Sequence, residues 1–119
     1  MKIAIDTSIL VGLLDHNDLW HTQAVDLVAA LSKVDFAGVY FDCVLAETIS
    51  VMTRRTFEKK RRDKIDLLYN RFQTEFTNDV ITWILPDVPD LYADVLSLMS
   101  SSGGELNFND ALIALSCRG

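Results

Sequence analysis

The chain has 119 residues, half of them apolar and 24% charged, and a formal net charge of −6. This suits one globular domain with room for a core, a chain that is not disordered and is too short for a second domain. Cys43 and Cys117 are too few for a disulfide framework, and the acidic balance excludes nucleic-acid binding over the whole surface while permitting a local basic patch.

The N-terminal run Met1-Lys2-Ile3-Ala4-Ile5 reads as a strand, with no polar alternation, as expected of a strand buried on both faces in a parallel sheet. Asp6 ends it, and Thr7-Ser8 leads into the helical pattern Ile9-Leu10-Val11-Gly12-Leu13-Leu14. That apolar stretch is too short to span a bilayer. Lys2 precedes too few apolar residues for a signal peptide, so no membrane association is expected. The two cysteines fit a reducing cytoplasm. A carboxylate between a strand end and a helix start lies on the rim where open α/β sheets bind ligands. The same residue also serves as a helix cap, so Asp6 by itself has two explanations.

Trp20, Ala24, Leu27, Val28 and Leu31 follow helical spacing and predict a second helix. His16 and His21 lie five apart, which is not the spacing of a helical metal pair. Gly38-Val39-Tyr40-Phe41-Asp42 predicts a second strand, and Val44, Leu45, Thr48, Ile49 and Met52 open a long helix. Glu47 interrupts that apolar stripe in the second turn, where an acid also favours the helix dipole. Cys43 reads as a small buried hydrophobe.

Arg54, Arg55, Lys59, Lys60, Arg61, Arg62 and Lys64 place seven of the eleven basic residues in one eleven-residue window. The window is either a solvated junction between helices or a patch that tracks a phosphate backbone or an acidic partner. Ile65, Leu68, Tyr69, Phe72 and Phe76 predict the next helix, stopped by Thr77-Asn78-Asp79. Val80 to Leu85 predicts a third strand. Pro86-Asp87-Val88-Pro89 turns the chain into a helix carrying Leu91, Val95, Leu98 and Met99, which the Ser100 to Gly104 segment ends. In the last helix Asn107 is the expected N-cap, and Asp110 takes the third position, where capping-box acids sit.

Each strand is thus followed by two helices, which predicts an α/β fold with a parallel sheet flanked by helices. In such a sheet all strand ends and following helix starts share one rim, so Asp6, Glu47 and Asp110 are candidates to converge. At about 4–5 Å and an effective dielectric of about 20, each pair of carboxylates repels by roughly 3–4 kcal/mol. A cluster of this kind must take up protons, spread apart or bind a cation, and oxygen-only ligands favour Mg²⁺ or Mn²⁺. A phosphoacceptor receiver domain also uses acids at strand ends, but the acidic pair and the late lysine it needs are not found.

At these residues the chain resembles the PIN-domain ribonucleases, and most closely the small VapC-type toxins of toxin–antitoxin pairs. The resemblance rests on Ile5-Asp6-Thr7-Ser8, on Leu45-Ala46-Glu47 and on Leu106-Asn107-Phe108-Asn109-Asp110-Ala111-Leu112-Ile113-Ala114. Trp20-His21 with Ala24 is similar to the family's second helix. The resemblance implies a three-layer PIN-like fold and metal-dependent endoribonuclease activity. It implies Asp6, Glu47 and Asp110 as metal ligands to Mg²⁺ or Mn²⁺, with Thr7, Ser8 and Asn109 in support. It further implies RNA as substrate, a homodimer and a small antitoxin partner. The alternative is a catalytically weak PIN-like module that acts by binding protein or RNA. The family's pattern continues past the Asp110 helix into a fourth strand with a further acid, which has no counterpart here. The shortened pattern predicts the first strand at a sheet edge, where an unpaired apolar strand invites a second copy of the chain, a swapped segment or a strand from outside this sequence.

Overall fold

In the computed structural model, which describes residues 1–117, the chain begins with the short strand β1 (Lys2–Ala4). The segment after it becomes α1 (Thr7–Leu14) because Asp6, in extended backbone conformation, caps it: its Oδ1 accepts the Ile9 N–H at 3.0 Å. The helix α2 (His21–Leu31) folds back on α1. Their close approach depends on Gly12, where an added Cβ would stand 3.0 Å from the Ala24 Cβ. His21 reinforces the crossing, its Nδ1 lying 2.6 Å from the Gly12 carbonyl oxygen. The His16 ring stacks on that of His21 at 4.8 Å between centroids.

Strand β2 (Ala37–Phe41) runs directly into α3 (Asp42–Glu58). A turn and a 3₁₀ segment, Arg62–Lys64, lead to α4 (Ile65–Glu75). Strand β3 (Ile81–Thr82) follows, then a second 3₁₀ turn, Leu85–Asp87, and the helices α5 (Val88–Ser101) and α6 (Phe108–Cys117). The described residues therefore form a mixed α/β domain of six helices and a three-stranded parallel sheet, in the strand–helix–helix order read from the sequence. None of these helices is long and apolar enough to cross a membrane.

The sheet order is β1-β2-β3, so β1 lies at an edge, as the sequence predicts. Its register pairs Lys2 with Ala37, Ile3 with Gly38 and Ala4 with Val39. The Met1 carbonyl accepts the Ala37 N–H at 2.8 Å and the Ile5 N–H reaches the Val39 carbonyl at 3.0 Å. Alternation along a parallel strand then directs the N–H and C=O groups of Lys2 and Ala4 away from β2, to the open edge.

Two expectations about the strands need correction. Strand β1 is not buried on both faces: Ile3 and Ile5 turn inward, whereas Lys2 and Ala4 are exposed. These two residues line an open groove of about 580 Å³ that also takes in Ala37, Val39, Thr82 and the end of α6 at Ser116 and Cys117. The third strand is also much shorter than the predicted Val80 to Leu85. The cause is Asp42, whose Oδ2 accepts the N–H groups of Ile84 at 3.1 Å and Leu85 at 2.9 Å and draws the chain out of the sheet.

The core has two parts. The larger gathers Ile5, Leu10, Phe41, Val44, Ile84, Val95, Ala111 and Leu112, from the sheet and from α1, α3, α5 and α6. The smaller joins α1, α3 and α4 through Val11, Met52 and Phe72. Adjacent Leu10 and Val11 thus contribute to different clusters, which wedges α1 between them.

Candidate functional site

Because β1 and β2 are parallel, the start of α1 and the first turns of α3 share one rim of the sheet. Thr7, the first residue of α1, and Glu47, in the second turn of α3, meet there: the Thr7 hydroxyl donates to Glu47 Oε2 at 3.0 Å. Asp6 precedes Thr7 and is exposed, as are Glu47 and Ser8. The bond holds the Glu47 carboxylate against the α1 N-terminus, beside the residue that caps it.

Asp110 is exposed at the start of α6. Its neighbours Ala111 and Leu112 are fully buried in the cluster that contains Ile5, Leu10 and Val44. Its own bonds are those of a capping box: the Asp110 N–H donates to Asn107 Oδ1 at 2.8 Å, and Asp110 Oδ2 accepts the Asn107 N–H at 3.4 Å. No hydrogen bond links Asp110 to Asp6, Thr7 or Glu47 among the described residues. Asn109 is half-buried beside it.

Asp6, Glu47 and Asp110 each engage one carboxylate oxygen. The other, Oδ2 of Asp6, Oε1 of Glu47 and Oδ1 of Asp110, accepts no hydrogen bond among the described residues. An all-oxygen donor set of this kind fits Mg²⁺ or Mn²⁺ in chemistry. As the side chains stand, no group of three or more His, Cys, Asp or Glu among the described residues is gathered closely enough to hold a metal ion.

The basic window divides by environment. Arg55, on α3, is already committed: its Nη1 lies 2.8 Å from both Asp15 Oδ2 and Asp18 Oδ1. Two largely buried carboxylates thus offset the Arg55 charge. The hydrogen bond from Arg55 holds the Asp18 carboxyl below the usual carboxylate range. Arg62 stacks over the Phe57 ring at 5.0 Å, and Arg61 lies 3.9 Å from Asp63. Arg54, Lys59, Lys60 and Lys64 are exposed and have no ion pair among the described residues.

One buried acid escaped the sequence reading. Asp42 is 5% exposed and accepts three backbone N–H groups, those of Cys43 at 2.8 Å, Ile84 and Leu85. The sequence places it only as the residue bounding the second strand; its partners after β3 are 42 and 43 residues away. Beside it, burial pushes the Cys43 thiol above its ordinary pKa, and the Asp42 charge adds to the effect.

The chain matches no family model, no curated protein and no solved structure.

Proposed function

We propose that this chain is a PIN-like, metal-dependent endoribonuclease of the VapC toxin type. The supporting observation is the Thr7–Glu47 hydrogen bond, which brings the acids after the first and second strands to one rim. In this reading Asp6, Glu47 and Asp110 hold Mg²⁺ or Mn²⁺. When bound, such an ion strengthens water as a nucleophile and offsets charge on the phosphodiester. Thr7 fixes the Glu47 carboxylate, while Ser8 and Asn109 flank the acids. Arg54, Lys59, Lys60, Arg61, Arg62 and Lys64 attract the RNA backbone or an acidic partner. A cytoplasmic homodimer held in check by a small antitoxin completes the reading.

The test is cleavage of RNA with Mg²⁺ or Mn²⁺ by the native chain and by Asp6→Asn and Glu47→Gln. Asparagine caps a helix about as well as aspartate, so Asp6→Asn preserves α1 while removing a charged ligand. A loss of about 100-fold or more is expected, beyond that of weaker supporting contacts. Equal cleavage by all three proteins overturns the enzyme reading. A second reading, a PIN-like module that only binds RNA or protein, is favoured by the capping roles already filled by Asp6 and Asp110. Metal-independent binding without cleavage by the native chain supports that alternative.

A further inference from the structure

Thr7 and Ser8 also line a groove of about 300 Å³, which Asp18, Trp20, Arg54 and Arg55 share. We infer that this groove is a subsite for one unpaired base of a single-stranded nucleic acid, with Trp20 as the stacking surface and Arg54 as the contact to the adjoining phosphate. The inference rests on the nuclease reading, because the groove is lined in part by Thr7, whose hydroxyl holds Glu47.

Trp20 is 60% exposed, although Ala24, one turn further on, is buried. An indole left in water at a groove wall has a large apolar face available for stacking. The backbone beneath it is held firmly. Asp18 Oδ2 accepts the Trp20 N–H at 3.0 Å, and the Trp20 carbonyl accepts the Ala24 N–H at 2.9 Å. Asp18 is itself fixed by Arg55 at 2.8 Å, and Arg55 also ties it to Asp15. The ordering cost of the backbone that carries the indole is therefore met in the free protein.

Arg55 faces the two carboxylates of Asp15 and Asp18, so these groups together with Arg54 are neutral, and Arg54 is the lining cation with no ion pair among the described residues. One free cation beside one aromatic face matches a base and its phosphate, because base–aromatic stacking tolerates any base while arginine takes the phosphate. The volume lies at the small end of ligand sites, which suits one base rather than a folded partner.

The experiment uses the full chain carrying Asp6→Asn and Trp83→Phe, in EDTA, so that nothing is cleaved and Trp20 is the sole indole. A short single-stranded RNA should quench Trp20 emission saturably. An abasic oligonucleotide of equal length and charge should not. By an anisotropy assay with labelled RNA, Trp20→Ala should weaken binding about 5- to 150-fold and Trp20→Phe much less. Arg54→Ala should lower the salt slope by about 0.7, the value for one single-strand phosphate. Circular dichroism of each variant should match the parent, as expected for an exposed side chain.

Equal binding of abasic and intact RNA, or unchanged affinity in Trp20→Ala, overturns the subsite. Saturable quenching by a polyglutamate peptide but not by RNA overturns it in favour of an acidic protein partner. These outcomes are independent of cleavage. RNA hydrolysis by the native chain with unchanged binding in Trp20→Ala leaves the nuclease reading standing and removes the subsite. Stacking without hydrolysis does the reverse.

Discussion

Replacing Asp42 with alanine should bring the domain close to unfolding. The side chain is 5% exposed and satisfies the N–H groups of Cys43, Ile84 and Leu85, at 2.8, 3.1 and 2.9 Å. Hydrogen bonds to a charged group contribute about 1.5–3 kcal/mol each. They are not independent, and Leu85 is 42% exposed, so its N–H regains water when the carboxylate is gone. The Ile84 N–H does not, because Ile84 is 4% exposed; an orphaned buried donor costs about 1–3 kcal/mol. Adding one further lost charged bond gives roughly 2.5–6 kcal/mol for Asp42→Ala, a large share of the 5–15 kcal/mol available to a small domain. Asp42→Asn should fall between the two. Its single carbonyl oxygen still serves Ile84 and Leu85, but its amide then confronts the Cys43 N–H as donor against donor.

The assay is urea unfolding, with the midpoint as readout and the slope as a check that the unfolded state is unchanged. Asp87→Ala, at an exposed position, is the control and should stay within about 0.5 kcal/mol of the parent. Amide exchange at Ile84 should accelerate in Asp42→Ala more than at positions in α5. A loss below about 1 kcal/mol in Asp42→Ala, less than a single orphaned donor costs, would refute the clamp.

Three further outcomes are expected. Arg55→Met should raise the Asp18 pKa toward the ordinary aspartate value of about 3.9, read by carboxyl NMR. Since the folded-state value is depressed, the native pair stabilises above that ordinary value and its contribution fades as pH falls through the folded-state pKa. An acid-unfolding curve identical in the native and Arg55→Met chains would contradict this. Thiol alkylation at neutral pH should label exposed Cys117 quickly and Cys43 only at the rate of unfolding, because Cys43 is buried with a raised pKa; mass spectrometry distinguishes the two peptides. Finally, the Lys2 and Ala4 amides at the open edge of β1 should gain exchange protection as protein concentration rises and a second copy covers the strand. Rapid exchange at every concentration in a monodisperse monomer would show that the edge is tolerated uncovered.

The sequence by itself was enough for most of what acts over a few residues. Apolar periodicity placed each strand and helix in order, and cap chemistry marked Asp6 before α1 and the Asn107–Asp110 box before α6, because these signals need only neighbours three or four positions away. It also exposed the clustering of basic residues from Arg54 to Lys64. What it left open is which distant group each polar side chain meets. Arg55 is spent on Asp15 and Asp18 across 40 and 37 residues, so the count of basic residues overstated the free charge. The bond from Thr7 to Glu47 spans 40 residues, and only the parallel pairing of β1 with β2 makes it. Asp42 likewise looks like a strand terminator until its partners 42 and 43 residues on are seen, and those same bonds cut β3 short of its apolar run. The physical reason is that local conformational preference is carried by adjacent residues, whereas a buried carboxylate or a paired arginine is defined by the packing that surrounds it.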